Sequence, residues 1–189
     1  MTGILKEKKV ALLMGGPGAE REVSLRSGAA VGRALRACGA LVEEVDVTGP
    51  DFVLPPGTGL ACNMIHGTFG EDGQLQALLE ARGVRYTGEG VEGSRLAFDK
   101  ILSKEKFAAA GVPTAGWHVI QRGGRPRIEP PYVLKAPRQG SSVGVHIIKD
   151  GTGLAAALED CFQFGDEVLV EGQVMNGSAD DPELFEMIV

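Results

Sequence analysis

Aromatic residues are scarce in this 189-residue sequence, at 5%, which weighs against a surface that stacks bases. The cysteines, Cys38, Cys62 and Cys161, form no CxxC pair and are odd in number, so neither a zinc knuckle nor a disulfide framework is indicated. They read as core thiols in a reducing compartment. No apolar run approaches the ~20 residues of a membrane helix. The run Val10 to Met14, behind a charged amino end, is also shorter than the ~7 to 15 apolar residues of a secretory signal. These absences predict a cytoplasmic chain with no membrane partner. Excess positive charge is missing too. The 25 Asp and Glu against 19 Lys and Arg leave a formal charge of -6, which argues against nucleic acid as a partner. Small-molecule chemistry is the starting expectation.

What the sequence does have is apolar residues, 43% of the chain, together with 28 glycines and 10 prolines, enough for a proper core joined by many tight turns. Val10 to Met14 is a continuous apolar run that stops at Gly15-Gly16-Pro17-Gly18, as expected of a strand buried on both faces and ending in a tight loop. A helix should follow, with Ser24 as its N-cap, Leu25, Val31 and Leu35 on its inner face and Gly39 as its stop. Leu41 to Val47 is the next strand, completing a β-loop-α-β unit of a parallel sheet. A Pro/Gly-rich connection leads to a third strand over Leu60 to Ile65, ending at His66-Gly67. Helices are predicted over Gln74 to Arg82 and over about Ser94 to Ala110, the second ended by Gly111 and Pro113.

Beyond that point the pattern changes. Short Val/Ile-rich strands are predicted over Trp117 to Gln121, Tyr132 to Lys135, Val145 to Lys149 and Val168 to Glu171, with a helix from Gly153 to Phe164 among them. The fold class is therefore α/β: a parallel-sheet domain over residues 1-95, then a smaller, more antiparallel α+β domain over 96-189.

Chemistry-bearing residues gather at the loops after the strands. Glu20, Arg21, Glu22 and Ser24 lie at the carboxyl end of the first strand, where open α/β sheets place ligands, and a carboxylate there suits a substrate ammonium. The third glycine of a dinucleotide fingerprint is replaced by Arg21, so that motif is not matched. The loop His66-Gly67-Thr68-Phe69-Gly70-Glu71-Asp72-Gly73 stands beside the first one. Its glycines permit close backbone approach, and Glu71 and Asp72 can tie it down or cap the next helix. In the second half, Lys135 ends a strand before the loop Gly140-Ser141-Ser142-Val143-Gly144, whose amides and hydroxyls can wrap an anion. A lysine beside such a loop suits a triphosphate, although the Walker A pattern is absent. Lys100 sits at the domain boundary as an ordinary helix-surface lysine would, and Glu171, at the end of the last strand, could accept from an adenine amino group or begin a loop.

Taken in order, Gly15-Gly16-x-x-Ala19-Glu20-Arg21-Glu22-Val23-Ser24, His66-Gly67-x-x-Gly70-Glu71-Asp72-Gly73, Tyr86-Thr87-Gly88-x-Gly90 leading to Asp99-Lys100, and Lys135 with Gly140-Ser141-Ser142-Val143-Gly144 resemble the bacterial D-alanine-D-alanine ligases. The resemblance covers about residues 9 to 171. It implies a Rossmann-like domain followed by the first α+β subdomain of an ATP-grasp fold. It also implies ATP-dependent formation of D-Ala-D-Ala for peptidoglycan, through an acyl phosphate, with Mg2+ as cofactor and a homodimer formed through the first domain. By matching position, Glu20 would orient the ammonium of the first D-alanine with Ser141 nearby, Val23 would line the methyl pocket, and His66 would lie near the carboxylate. Lys100, Lys135, Gly140 and Ser142 would contact ATP phosphates, and Glu171 would hold adenine. Glu20 and His66 are then expected at a common cavity facing Ser141.

The sequence departs from that pattern at Ala136-Pro137 after the lysine, at Gln139, and at Ser178, where the resemblance calls for a ribose-binding glutamate. Family chains run roughly half as long again, and the Mg2+ ligands and second ATP-grasp subdomain are expected in that further part. Asp180, Asp181, Glu183 and Glu186 match no family motif and read as an acidic solvated end. A ligase joining D-alanine to D-lactate, or a non-catalytic remnant binding nucleotide or D-alanine, stays open on these residues.

Overall fold

A computed structural model of the chain describes residues 5–172. The elements in order are β1 (Lys9–Gly15), α1 (Arg21–Ala37), β2 (Leu41–Val47), β3 (Leu60–Asn63), α2 (Gln74–Ala81), α3 (Val91–Phe98), α4 (Lys100–Ala109), β4 (Trp117–Gln121), β5 (Tyr132–Lys135), β6 (Val145–Ile148), α5 (Leu154–Cys161) and β7 (Glu167–Gly172). They form two compact units, Met1–Phe98 and Asp99–Val189.

The first unit holds a parallel sheet of order β2-β1-β3. Its central strand β1 lacks polar alternation because both faces are covered. Ala11 and Leu13 join Phe52, Leu75 and Leu79 on one side, and Val10 and Leu12 join Ala40, Cys62 and the α1 residues Val31 and Leu35 on the other. Helix α1 approaches β1 closely at Gly28, where a Cβ would stand 2.9 Å from Cβ of Met14.

Ser24 does not cap α1, which begins at Arg21. It is fully buried and spends its hydroxyl on tertiary structure, accepting from Gly15 N–H at 2.9 Å and donating to the Met64 carbonyl. One side chain thereby fastens the end of β1 to the segment leaving β3. The single helix expected over Ser94 to Ala110 is two helices broken at Asp99, whose extended backbone (φ -82°, ψ 106°) and side chain cap α4 by accepting from Ile101 and Leu102 N–H. The third strand stops at Asn63 rather than Ile65. Cys62 and Cys161 are buried free thiols, but Cys38 is exposed at the end of α1 and is no core residue.

The second unit is an antiparallel sheet of order β4-β7-β5-β6. Strand β7 has side chains on opposite faces at alternate positions. Val168 and Val170 pack with Tyr132, Leu134, Ala157, Cys161 and Phe162 against α5. Glu167, Leu169 and Glu171 share the opposite face. That face is buried and charged, since Leu169 is fully buried and Glu171 is only 8% exposed. Among the described residues no helix is long and apolar enough to cross a membrane.

Candidate functional site

In the first unit the loops after β1 and β3 are held together from α1. Ser27 Oγ lies 3.1 Å from His66 Nε2 and also donates to the Ser24 carbonyl. The loop after β3 is tied from within: Glu71 accepts from Gly67 N–H at 2.9 Å, and Asp72 accepts from Phe69 and Gln74 N–H. Glu71 also lies 3.8 Å from His66 Nδ1, so the imidazole stands between a hydroxyl and a carboxylate.

Glu20 packs against this loop. A Cβ on Gly67, which has φ +69°, would stand 2.5 Å from Glu20 Oε2, so glycine is what lets the carboxylate sit there. Arg21 does not join it, being committed to a bidentate pair with Asp46 at the end of β2, at 2.9 and 2.7 Å. Val23 is an exposed apolar residue of α1.

A cavity of about 360 Å³ opens in this unit, lined among others by Asn63, His66, Glu71, Gln76, Thr87 and Ser94. His66 is on its wall and Glu20 is not. Asn63 and Gln76 each donate to the Gly70 carbonyl at 2.8 Å, fixing the glycine turn from below.

In the second unit a cluster of ammonium groups surrounds one carboxylate. Val133 is opposite Glu171 and Lys135 opposite Leu169, so Lys135 and Glu171 are diagonal neighbours on one face. Lys135 Nζ reaches Glu171 Oε2 at 2.7 Å, and Lys104 from α4 pairs with Oε1. Burial alone would raise the Glu171 pKa, but hydrogen bonds and charge from Lys104 and Lys135 outweigh it and hold the carboxyl below its usual value.

Lys100 is not an ordinary surface lysine. Burial, then the neighbouring charge of Lys135, lowers its pKa against the opposing pull of Asp99 and Glu171. Its ammonium donates to the Gln139 carbonyl at 2.7 Å and its backbone N–H to the Pro137 carbonyl. Arg138 spans Asp99 and Glu167 at 2.7 and 2.8 Å. The Gly140 to Gly144 loop is thus anchored at its first limb by α4. At its second limb the Gly144 carbonyl accepts from Ala136 N–H and the Cys161 thiol. Ser141 and Ser142 at the tip are exposed, with Ser141 at φ +52°.

The structure therefore brings Lys100, Lys135, Glu171 and the glycine-serine loop together in one unit, and Glu20 with the His66 loop in the other. A family model described as the D-ala D-ala ligase C-terminus matches residues 107–180. The D-alanine--D-alanine ligase of Citrifermentans bemidjiense is 46% identical over 172 residues, covering 89% of this chain and 56% of that protein. That of Geotalea uraniireducens is 44% identical over 181 residues, covering 92% and 58%. Among solved structures, D-alanyl-alanine synthetase A from Vibrio cholerae superposes with TM-score 0.76 at 27% identity, over 93% of this chain and 61% of that one.

Over about nine tenths of its length the chain is similar to D-alanine--D-alanine ligases. It spans a little over half the length of the curated relatives it matches. The D-alanine-D-alanine ligase from Helicobacter pylori, at TM-score 0.75 and 22% identity, shares the fold.

Sequence reasoning overlooked Ser27, Asn63, Gln76 and Lys104. Ser27, Gln76 and Lys104 sit in helices, where a polar residue looks like part of the solvated side, and Asn63 is a polar residue at the end of a strand. Only Lys104 carried a legible signal, standing four residues after Lys100 on the same helix face. Ser178 and the acidic residues Asp180, Asp181, Glu183 and Glu186 lie outside the described residues.

Proposed function

We propose that this chain is the substrate-binding and first nucleotide-binding part of a cytoplasmic, homodimeric ligase that joins two D-alanines at the expense of ATP for peptidoglycan synthesis. The first unit is the Rossmann-like substrate domain and the second the first ATP-grasp subdomain. The observation that carries this reading is identity of 46% over 172 residues, covering 89% of this chain, so that one alignment with a named D-alanine--D-alanine ligase takes in residues of both units.

In the proposed reaction a carboxylate oxygen of one D-alanine attacks the γ-phosphorus of ATP, ADP departs, and an acyl phosphate forms. The amine of the second D-alanine then attacks the acyl carbon, phosphate leaves and the nitrogen loses a proton. Catalysis of such a transfer is mostly positioning and charge neutralisation. Glu20 holds the first substrate's ammonium with Ser141 as a hydrogen-bonding partner, Val23 contacts its methyl group, and His66 stands by its carboxylate. Lys100, Lys135, Gly140 and Ser142 hold phosphates, and Glu171 accepts from the adenine amino group.

The donor set fits a nucleotide. Lys100 is buried at a cost to its charged form, a cost that an adjacent polyanion removes. Among the described residues no group of three or more His, Cys, Asp or Glu side chains could hold Mg2+.

Replacing Lys100 or Lys135 by Ala is expected to weaken ATP binding by at least about tenfold, and more steeply at low than at high salt. Calorimetric titration at two ionic strengths checks this. Equal affinity in wild type and the double variant removes the phosphate assignment.

A further inference from the structure

Glu171 faces more positive charge than it needs. Its carboxylate is buried and receives two ammonium groups, one on each oxygen. The two lysines are not equivalent. Lys135 has Glu171 as its single partner among the described contacts and is free to turn to an incoming anion. Lys104 is a fixture: its ammonium also donates to Thr114 Oγ1 at 2.5 Å and approaches the Ala115 carbonyl at 3.5 Å. An ammonium has three donor hydrogens, and these contacts with Glu171 use all of them. Lys104 is itself 9% exposed, so little water competes for it.

A carboxylate offers about four lone-pair directions, and the two lysines occupy one on each oxygen. If Lys135 is drawn to phosphate, Lys104 is what remains to keep Glu171 ionised and pointed. From these contacts we infer that Lys104 is a positioning residue that clamps the Glu171 carboxylate as an acceptor for the exocyclic amino group of the purine, and so sets the preference for a 6-amino over a 6-oxo base. This rests on the proposal that Glu171 meets adenine. A 6-oxo purine presents an acceptor where adenine presents a donor, and a fixed carboxylate repels it. A carboxylate released from Lys104 can swing away or take a proton, and both bases are then tolerated.

The test is the ratio of ATP to ITP affinity, measured by calorimetry on the 189-residue chain. In wild type ATP is expected to bind about tenfold tighter, the worth of one hydrogen bond to a charged group. Lys104→Met should bring the ratio to near one mainly by loss of ATP affinity, and Lys104→Arg should restore a clear part of it. Thr114→Val, which removes an anchor and no charge, should give an intermediate ratio and decides the matter if Lys104→Met does not fold.

Without nucleotide, the carboxyl carbon of Glu171 followed by NMR should titrate at higher pH in Lys104→Met than in wild type. A ratio unchanged in Lys104→Met and Thr114→Val, equal losses for ATP and ITP, or an unmoved Glu171 titration overturns the inference while leaving the nucleotide site standing. A wild-type chain that binds neither nucleotide, or binds both alike, overturns the adenine assignment of Glu171 and this inference with it.

Discussion

Gly67 shows how one backbone position sets a functional side chain. Its φ of +69° is a conformation that costs an L-residue about 1–2 kcal/mol, and the Glu20 carboxylate occupies the place a Cβ would take. Gly67→Ala therefore combines backbone strain with displacement of Glu20. Gly83, at φ +67° with nothing within 4 Å of a built Cβ, separates the two effects. Both alanine variants should lose about 1 kcal/mol of stability in urea unfolding. Only Gly67→Ala should weaken D-alanine binding, by about fivefold or more, as followed by NMR titration. Equal binding in the two variants would detach Glu20 from the substrate. Ser24 and Asp99 make a related point. Each is a residue type that favours helix starts, yet Ser24 is used as a tertiary fastener, and Asp99 caps a helix where the apolar spacing ran on unbroken.

At the level of elements, strand β7 divides the second unit into an apolar face against α5 and a charged face carrying Glu167 and Glu171, of which Glu171 is buried. Glu171 has a folded pKa below its ordinary 4.5. Its contribution to stability is therefore present above the unfolded value and is lost as pH falls through the folded one. Glu171→Gln should cost ~3–5 kcal/mol at neutral pH, because two buried ammoniums lose their partner. It should also flatten the loss of stability expected of the wild type below about pH 4.5, read from urea midpoints across the acid range; parallel pH profiles would mean that the triad does not control this unit. The strands of this unit were legible because short β-branched runs between turns have few other uses, and Trp117–Gln121 and Tyr132–Lys135 appear with the expected ends. Of the parallel strands, β1 was legible as an apolar run buried on both faces. The ion triad was not, since a lysine in a helix and a glutamate at a strand end carry no mark of burial. Only the register Val133 to Glu171 and the approach of α4 bring them together.

At the scale of the whole molecule, the relatives whose names report ligase activity are nearly twice as long as the aligned part of this chain. Phosphoryl transfer between two substrates needs charge neutralised on several oxygens at once. The described residues offer two partly buried lysines and a glycine-serine loop for that task, and no group of three or more His, Cys, Asp or Glu that could hold a metal ion. Losing one preorganised charge-stabilising contact typically costs about 10²–10³ in rate. A purified polypeptide of these 189 residues is therefore expected to bind ATP, with the dependence on Lys100 and Lys135 described above, but to form D-Ala-D-Ala at a rate at least about 10⁴-fold below a relative such as the Citrifermentans bemidjiense enzyme. The measurement is phosphate release with ATP, D-alanine and Mg2+, with the dipeptide detected directly by mass spectrometry. Turnover within about tenfold of the relative would mean that these residues already complete the catalytic charge set, and the expected need for further charged groups would have to be given up.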